Sequence, residues 1–372
     1  MSAPKRLAFF MPSLDCGGVE RVMLRLAAGF ADRGCRVDVV VASVQGPSPD
    51  GSFAAVVPPN VNVVDLKSSR VLFSLPGLVS YLKREKPDAL LAAMDHINLI
   101  ALWAKRLAGV DTRVVASVHS TASVESGGSF LKKSLIRAVL PPLLPGAGAI
   151  VAVSKGAADD YVRFMGLPGG SVRVIYNPAI SPEIAAKALE LPPHPWYEKK
   201  TTPLVLSVGR LNPAKDFPTL IRAMKTVNAK TGARLIVLGE GAERGRLEAL
   251  IRTEGLEKVV DLPGFADNPY AYMKRADALA VSSSWEGLPT VLIEALSLGT
   301  PVVSTDCPSG PSEILEGGKW GRLVPVGDSD ALAAALVETL GRPARDAAVA
   351  RAGDFSVDKI IRDYAEVLGV RI

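Results

Sequence analysis

The sequence predicts an α/β fold of two doubly wound halves, and three observations carry that prediction. Short apolar, β-branched runs alternate with helical periodicity from end to end. The alternation restarts near residue 203, after the proline-rich stretch LELPPHPWYEKKTTP. The 372 residues are 48% hydrophobic and 22% charged, which supplies a core for each half and is too apolar for a disordered chain.

In the first half, strands are expected at 7–11, 37–41, 61–66, 89–92, 114–118, 150–153 and 172–175. In the second they are expected at 204–208, 235–238, 259–262, 278–281, 302–304 and 323–326. Each run is short and apolar almost throughout, the pattern of a parallel strand buried on both faces by helices. Between the first two strands, Val19, Val22, Met23, Leu26, Ala27 and Phe30 recur at helical spacing. LELPPHPWYEKKTTP reads as a linker. The expected domains are therefore 1–190 and 191–354, followed by a helix in 355–372; the sequence leaves open which domain it packs on, with a return to the first as one alternative. That helix carries Ile360, Ile361, Tyr364 and Leu368 on one side. Open sheets of this kind bind ligands outside the carboxyl ends of their strands, so the expected site is a cleft between the two halves.

Composition excludes several classes. Cys16, Cys35 and Cys307 are odd in number and far apart, which argues against a disulfide framework and for a reducing cytoplasm. The first apolar stretch is interrupted by Pro12 and Asp15, so no secretory signal is read. The apolar run at 138–153 is broken by three prolines and two glycines and is too short to span a bilayer. Net charge is +5, and residues 1–190 hold 21 Lys and Arg against 15 Asp and Glu. The first half therefore suits an anionic partner such as a lipid headgroup or a phosphorylated acceptor. With aromatics at 6%, a nucleic-acid partner is not expected.

Four segments carry chemistry. In DCGGVERVMLRLAAGF, Gly17 and Gly18 fall between a strand and a helix, where backbone N–H groups can approach an anion. The pair is equally consistent with a tight turn, and it is not a dinucleotide fingerprint. In SVGRLNPAKDF, Arg210 and Lys215 follow a buried strand and are candidates to clamp a diphosphate, or else are solvated loop charges. In SSSWEGLPTVLIEALSLGTPVVST, Glu286 lies in the loop before a helix and Glu294 lies two turns into it. Two carboxylates there can accept sugar hydroxyls, while free N–H groups around Thr290 to Leu292 can meet a phosphate. Taken alone, Glu294 is also consistent with a helix-surface carboxylate.

His119 ends a strand and is the candidate ligand contact from the first half. His96 follows a strand beside Asp95 and Asn98, and His194 in the linker reads as incidental. With no metal-ligand spacing, no metal centre is expected. The stretch SFLKKSLIRAVLPPLL sets Phe130, Leu131, Leu135, Val139 and Leu140 against Lys132, Lys133 and Arg137. That is a basic amphipathic helix, suited to a membrane interface or to a core with a solvated basic face. SSRVLFSLPGLVSYLKREK has a similar mix.

Together these segments resemble the GT4 family of retaining glycosyltransferases, of GT-B fold with two Rossmann-like domains facing a cleft. The resemblance runs from GGVER to GRLVPVGD and is strongest at Glu286–x7–Glu294, followed by GTPVVSTDCPSGPSEIL. SVGRL, VLGEG and LPGF fall in the family's order. Thr290 stands where close relatives often have Asn.

The resemblance implies a nucleotide-sugar donor, a UDP-hexose or UDP-N-acetylhexosamine, and no metal cofactor. Gly17 and Gly18 would approach the donor diphosphate, with Arg210 and Lys215 neutralising it. Gly239, Glu240 and Gly241 would lie near the nucleobase. Glu286 would bind donor-sugar hydroxyls, Glu294 the ribose and His119 the sugar near the reacting centre. Leu288, Thr290 and Val291 would line the donor site, mainly through backbone. No Asp-x-Asp motif is read at a strand end suited to a metal, so cations and helix N-termini are expected to stabilise the leaving diphosphate. No enzymic nucleophile is evident, which favours front-face attack by the acceptor.

TDCPSGPSEIL is similar to members that build bacterial polysaccharide or lipid-linked oligosaccharide. The expected acceptor is a lipid pyrophosphate or oligosaccharide, at the inner face of the cytoplasmic membrane. The rival readings are a GT-B nucleotide-sugar epimerase and a non-catalytic sugar-nucleotide binding protein. A nicotinamide oxidoreductase lacks its fingerprint here.

Overall fold

The computed structural model describes residues 4–14, 17–44, 57–124, 130–341 and 348–372, without the side chains of 130–133. Cys16 and the side chains of Phe130, Leu131, Lys132 and Lys133, on which expectations fell, lie outside the described residues.

The chain forms two compact units, one of Met1–Pro178 with Val357–Ile372 and one of Ala179–Ser356. The first holds strands β1 (Arg6–Met11), β2 (Arg36–Val41), β3 (Asn62–Asp65), β4 (Ala89–Ala93), β5 (Arg113–Val118), β6 (Ala149–Ala152) and β7 (Arg173–Val174). Its helices are α1 (Gly18–Ala31), α2 (Leu75–Glu85), α3 (Asp95–Ala108), α4 (Phe130–Val139) and α5 (Lys155–Met165). The sheet is parallel in the order β3-β2-β1-β4-β5-β6-β7. Strand order reverses between β1 and β4, so the loops after those strands diverge and leave a crevice at their carboxyl ends.

The second unit holds β8 (Leu204–Val208), β9 (Arg234–Leu238), β10 (Val260–Gly264), β11 (Ala278–Val281), β12 (Val302–Thr305) and β13 (Arg322–Val324). Its helices are α6 (Pro182–Lys187), α7 (Pro195–Glu198), α8 (Phe217–Thr231), α9 (Arg244–Thr253), α10 (Pro269–Arg275), α11 (Thr290–Ser297), α12 (Pro311–Ile314), α13 (Ser329–Gly341) and α14 (Val349–Ala352). The order β10-β9-β8-β11-β12-β13 is again parallel and reverses between β8 and β11. Every expected strand lies within two residues of an observed one.

The last helix, α15 (Val357–Leu368), belongs to the first unit, where Ile360, Ile361, Tyr364 and Leu368 join the core of α1 and β1. Gly29 of α1 makes room for it: a Cβ there would lie 1.9 Å from Ile361 Cδ1. Glycine in a helix costs about 1 kcal/mol relative to alanine, and close approach of two helices is the return. The strands of β1 alternate between the two faces, with Leu7, Phe9 and Met11 toward α1 and α15, and Ala8 and Phe10 toward α2 and α3.

Two expectations about organisation are corrected. The boundary falls at Pro178/Ala179 rather than 190/191, and the return falls at Ser356/Val357 rather than 354/355. The cause is backbone pairing: Ala179 and Ile180 donate their N–H groups to Phe355 O at 3.0 and 3.1 Å. Arg275 then donates to the carbonyls of Ala188 and Leu189, which ties α6 to the second unit. The proline-rich stretch is not a free linker either. Tyr197 donates to Tyr272 O at 3.1 Å, and Arg234 stacks on Trp196 at 5.0 Å. His194, read as incidental, is 3% exposed, with Nε2 2.9 Å from an Asp261 carboxylate oxygen. A short aromatic-rich segment beside a sheet edge gains more by burial than it loses in chain entropy.

Candidate functional site

In the second unit the loops after β8 and β11 meet at the strand-order reversal. Lys215 stands on the first loop and Glu286 on the second, and Nζ lies 2.6 Å from Oε1. The two side chains are 22% and 12% exposed, so the pair is mostly withdrawn from water. Sequence separation of the pair is 71 residues, and only the sheet order brings them together.

Three serines, unforeseen in the sequence, hold this arrangement. Ser282 Oγ donates to Lys215 O at 2.8 Å, and the Ser284 N–H donates to Ala214 O at 2.8 Å. Ser283 Oγ donates to Glu286 Oε1 at 2.6 Å, a short charge-assisted bond. From the next strand, Thr305 Oγ1 donates to Ser283 O, and Ser309 Oγ to Gly287 O. Gly310, at φ 95°, lets that loop close on Pro289, whose Cδ would be 2.5 Å from a Cβ there. Cys307 lies in the same loop, and burial, with Glu286 nearby, pushes its thiol up to about 12.

Pro289 precedes α11, whose first residues Thr290 and Val291 leave N–H groups with no intrahelical partner. The Leu292 N–H, expected to be free, already donates to Pro289 O at 3.1 Å. Glu294 faces inward rather than to solvent: it is 7% exposed, with Tyr270 Oη 3.5 Å from Oε1. Leu288 is buried, and Arg210 is exposed on the β8 loop.

Behind them, the β9 loop packs backbone to backbone on the β8 loop. Gly239, at φ 143°, would set a Cβ 2.0 Å from Gly209 O, and Gly241 would set one 2.2 Å from Leu211 O. Neither position admits a side chain without moving a strand end. Between them, Glu240 is committed to Arg244 by two contacts of 2.8 and 2.5 Å, so its carboxylate is engaged within its own loop.

In the first unit Gly17 caps α1 and Gly18 opens it. A Cβ on Gly17 would lie 2.0 Å from Glu20 Oε2, so that acid folds back over the helix N-terminus. His119 follows β5 and is half-buried, with Nε2 2.9 Å from Ser117 Oγ. Burial lowers its pKa to about 4, which keeps the ring neutral at pH 7. The loop beyond it is fixed by Asp160 of α5, which accepts from the Ser123 N–H at 3.0 Å and from Ser123 Oγ at 2.5 Å.

Two membrane-related observations concern the first unit. Leu72 and Phe73 are 59% and 61% exposed in the 3-10 turn Val71–Ser74. Among the described residues no helix is long and apolar enough to cross a membrane. Also among the described residues, no group of three His, Cys, Asp or Glu could hold a metal ion. One Asp-x-Asp occurs in the sequence, at Asp328 and Asp330. It follows the outermost strand, β13, and Asp328 Oδ1 accepts the N–H groups of Asp330 and Ala331 at the start of α13.

Residues 194–353 match the family model of glycosyl transferases group 1, and residues 16–179 match that of Glycosyltransferase Family 4. The N-acetylgalactosamine-N,N'-diacetylbacillosaminyl-diphospho-undecaprenol 4-alpha-N-acetylgalactosaminyltransferase of Campylobacter jejuni is 30% identical over 373 residues, covering 98% of this chain and 99% of its own. The amylovoran biosynthesis glycosyltransferase AmsD of Erwinia amylovora is 26% identical, covering 95% and 96%. Among solved structures, Anabaena HepE in complex with UDP and glucose superposes with a TM-score of 0.78 at 22% identity, covering 98% and 99%.

Proposed function

The chain belongs to the family 4 glycosyltransferases, of GT-B fold, and from that premise we propose that it moves a sugar from a UDP-sugar to a lipid-linked or polysaccharide acceptor with retention and without a metal ion. It is an enzyme of polysaccharide or lipid-linked sugar assembly. The observation that carries the finer reading is the Lys215–Glu286 pair at the β8/β11 reversal, beside the free N–H groups of α11.

In this reading Lys215 and Arg210 neutralise the diphosphate as its bond to the sugar breaks. The α11 N-terminus adds fixed positive charge at the same place. Glu286 receives donor-sugar hydroxyls, Glu294 the ribose hydroxyls, and the backbone of Gly239 to Gly241 borders the base. His119 contacts the sugar. Gly17 and Gly18 approach the diphosphate once Glu20 gives way. With Glu286 held by Lys215 and Ser283, the acceptor hydroxyl attacks on the face the diphosphate leaves, and a phosphate oxygen takes its proton.

The UDP complex of the Anabaena neighbour supports the base assignment, and the diphospho-undecaprenol in the Campylobacter relative's name supports a lipid-linked acceptor. Exposed Leu72 and Phe73, with Arg70 before them and Lys83 and Arg84 on α2, support peripheral contact with the cytoplasmic membrane surface.

The test is a thermal-shift series of UDP, GDP, ADP and TDP, each with and without magnesium. A ligand at a hundred times its dissociation constant adds about 2.7 kcal/mol. Selective stabilisation by UDP, equal with EDTA and with magnesium, is the expected result. No response to any diphosphate overturns the phosphate clamp, and a response only with magnesium overturns the metal-free reading.

A further inference from the structure

Arg244 joins three elements of the second unit. It is the first residue of α9, and its guanidinium donates to four oxygens. Nε and Nη2 reach the two carboxylate oxygens of Glu240, in the β9 loop, at 2.8 and 2.5 Å. Nη1 reaches Glu248 Oε1, one turn along α9, and the carbonyl oxygen of Leu262 in β10, each at 3.1 Å. Leu262 lies where β10 loses register with β9, between Asp261 and Gly264, so Arg244 serves a carbonyl at a break in the ladder. Arg244 and Glu240 are 29% and 43% exposed, and an ordinary surface pair so exposed would contribute little. This one is two-toothed and its cation also holds a strand carbonyl, which is the geometry that fixes a loop.

Gly264, at the end of β10, makes room for the pair. Its φ is 100°, and a Cβ there would lie 2.9 Å from Glu240 Oε1 and 3.8 Å from Arg244 Nη2. The ion pair therefore lies against the Gly264 backbone, in the space a side chain would take. Gly264 O also accepts the Gly239 N–H at 2.8 Å, and Glu240 O accepts the Leu211 N–H at 2.8 Å. The β9 loop is thus tied by its backbone to β10 and to the β8 loop, and by the Glu240 carboxylate to α9. Two of the three residues Gly239 to Gly241 are glycines, which have the most backbone freedom to lose on ordering. Glu240 carries the one side chain among them that can restrain the loop.

We infer that Glu240 and Arg244 are positioning residues, an ion pair that clamps the β9 loop to β10 and so fixes the backbone of Gly239 to Gly241 in the shape a nucleobase lies against. The inference rests on the reading that this loop borders the base of a nucleoside diphosphate. It changes the part Glu240 plays: the residue acts through Arg244 on the loop, and the loop backbone meets the base. The guanidinium also cancels the carboxylate charge, which a bare Glu240 would set against the diphosphate of the same ligand.

The test takes the full chain through two measurements. The first is amide hydrogen exchange in the ligand-free protein at Gly239 and Leu211, whose N–H groups hold the two ends of the loop. Arg244→Met and Glu240→Gln should each speed exchange there about tenfold, and the double variant should add little, because both changes remove the same pair. The second is calorimetric titration with UDP and with inorganic pyrophosphate. Each variant should bind UDP about tenfold more weakly and bind pyrophosphate within about twofold of the unsubstituted protein, since pyrophosphate has no base to meet the loop. A merely structural role would not separate the two ligands. Glu240→Gln keeps the shape of the more exposed partner, and an unfolding midpoint for each variant excludes loss of fold. Unchanged exchange at both amides overturns the inference. So does a UDP affinity that neither variant alters, or UDP and pyrophosphate affinities that fall together. If the unsubstituted protein binds neither ligand, the proposed function falls, while the exchange rates still decide whether the pair clamps the loop.

Discussion

Breaking the Lys215–Glu286 pair from either side should destabilise the second unit, and breaking it from both sides should cost less than the sum. At 2.6 Å, and with an effective dielectric of about 20, the gross attraction is about 6 kcal/mol. Withdrawing both charges from water takes back most of it, and side chains 22% and 12% exposed sit between the surface and buried limits. The expected coupling energy is therefore about 1–3 kcal/mol. Lys215→Met leaves the Glu286 carboxylate with Ser283 Oγ as its remaining charge-assisted donor among the bonds described above. Glu286→Gln keeps that hydroxyl contact and leaves the ammonium facing an amide. Each single change should cost about 2 kcal/mol, and the double change about the same as one of them. The assay is a double-mutant cycle in urea followed by tryptophan fluorescence, because Trp285 adjoins Glu286 and reports this loop directly. A pair this withdrawn should keep most of its coupling in 1 M salt, where an exposed pair would lose it. A coupling below about 0.5 kcal/mol with both singles folded would refute the argument that the reversal of strand order builds a desolvated pair here.

Three further outcomes are expected. Gly239→Ala should abolish stabilisation by a nucleoside diphosphate and lower stability by about 2 kcal/mol or more, because φ 143° and a Cβ 2.0 Å from Gly209 O both oppose a side chain. An unchanged thermal shift with UDP would show that the β9 loop does not border the ligand. Burial lowers the His119 pKa from 6.5 to about 4, so the unfolded state takes up the proton first on acidification. Its contribution to stability is complete above pH 6.5 and is lost as pH falls from 6.5 toward 4; His119→Gln should flatten that part of the stability curve, and an unaltered slope would count against the buried neutral ring. Leu72→Ser with Phe73→Ser should weaken co-sedimentation with anionic vesicles at low salt, while vesicle binding equal to the unsubstituted protein would remove that turn from any membrane contact.

The fold was legible because it rests on local pattern. A short apolar run bounded by turn residues suits a strand buried on both faces, and the runs expected to be strands each became one, from Arg6–Met11 to Arg322–Val324, while the longer apolar run at 331–337 lies in α13. The glycines that admit backbone packing, Gly239 and Gly241, were picked out by the resemblance of VLGEG to the family's motif, and the loop carrying Arg210 and Lys215 by its place after a strand. The domain boundary was not legible, because it depends on which backbone groups pair. Nothing in the sequence near Ala179 says that its N–H will find Phe355 O. His194 misled for a similar reason: a polar side chain in a loop looks the same whether solvent or a neighbouring element satisfies it.

The sequence by itself determined the α/β class, the two halves and the residue types gathered at their strand ends, since hydrophobic periodicity and punctuation are properties of short segments. Tertiary structure alone decided that Lys215 would meet Glu286 and that Ser282, Ser283 and Ser284 would brace them. Ser283 and Glu286 are three residues apart, but Lys215 is 71 residues from Glu286 and 67 from Ser282. Hydrogen bonds and ion pairs act over a few ångströms, so only the strand order, set by the whole chain packing at once, selects which polar groups come within their reach.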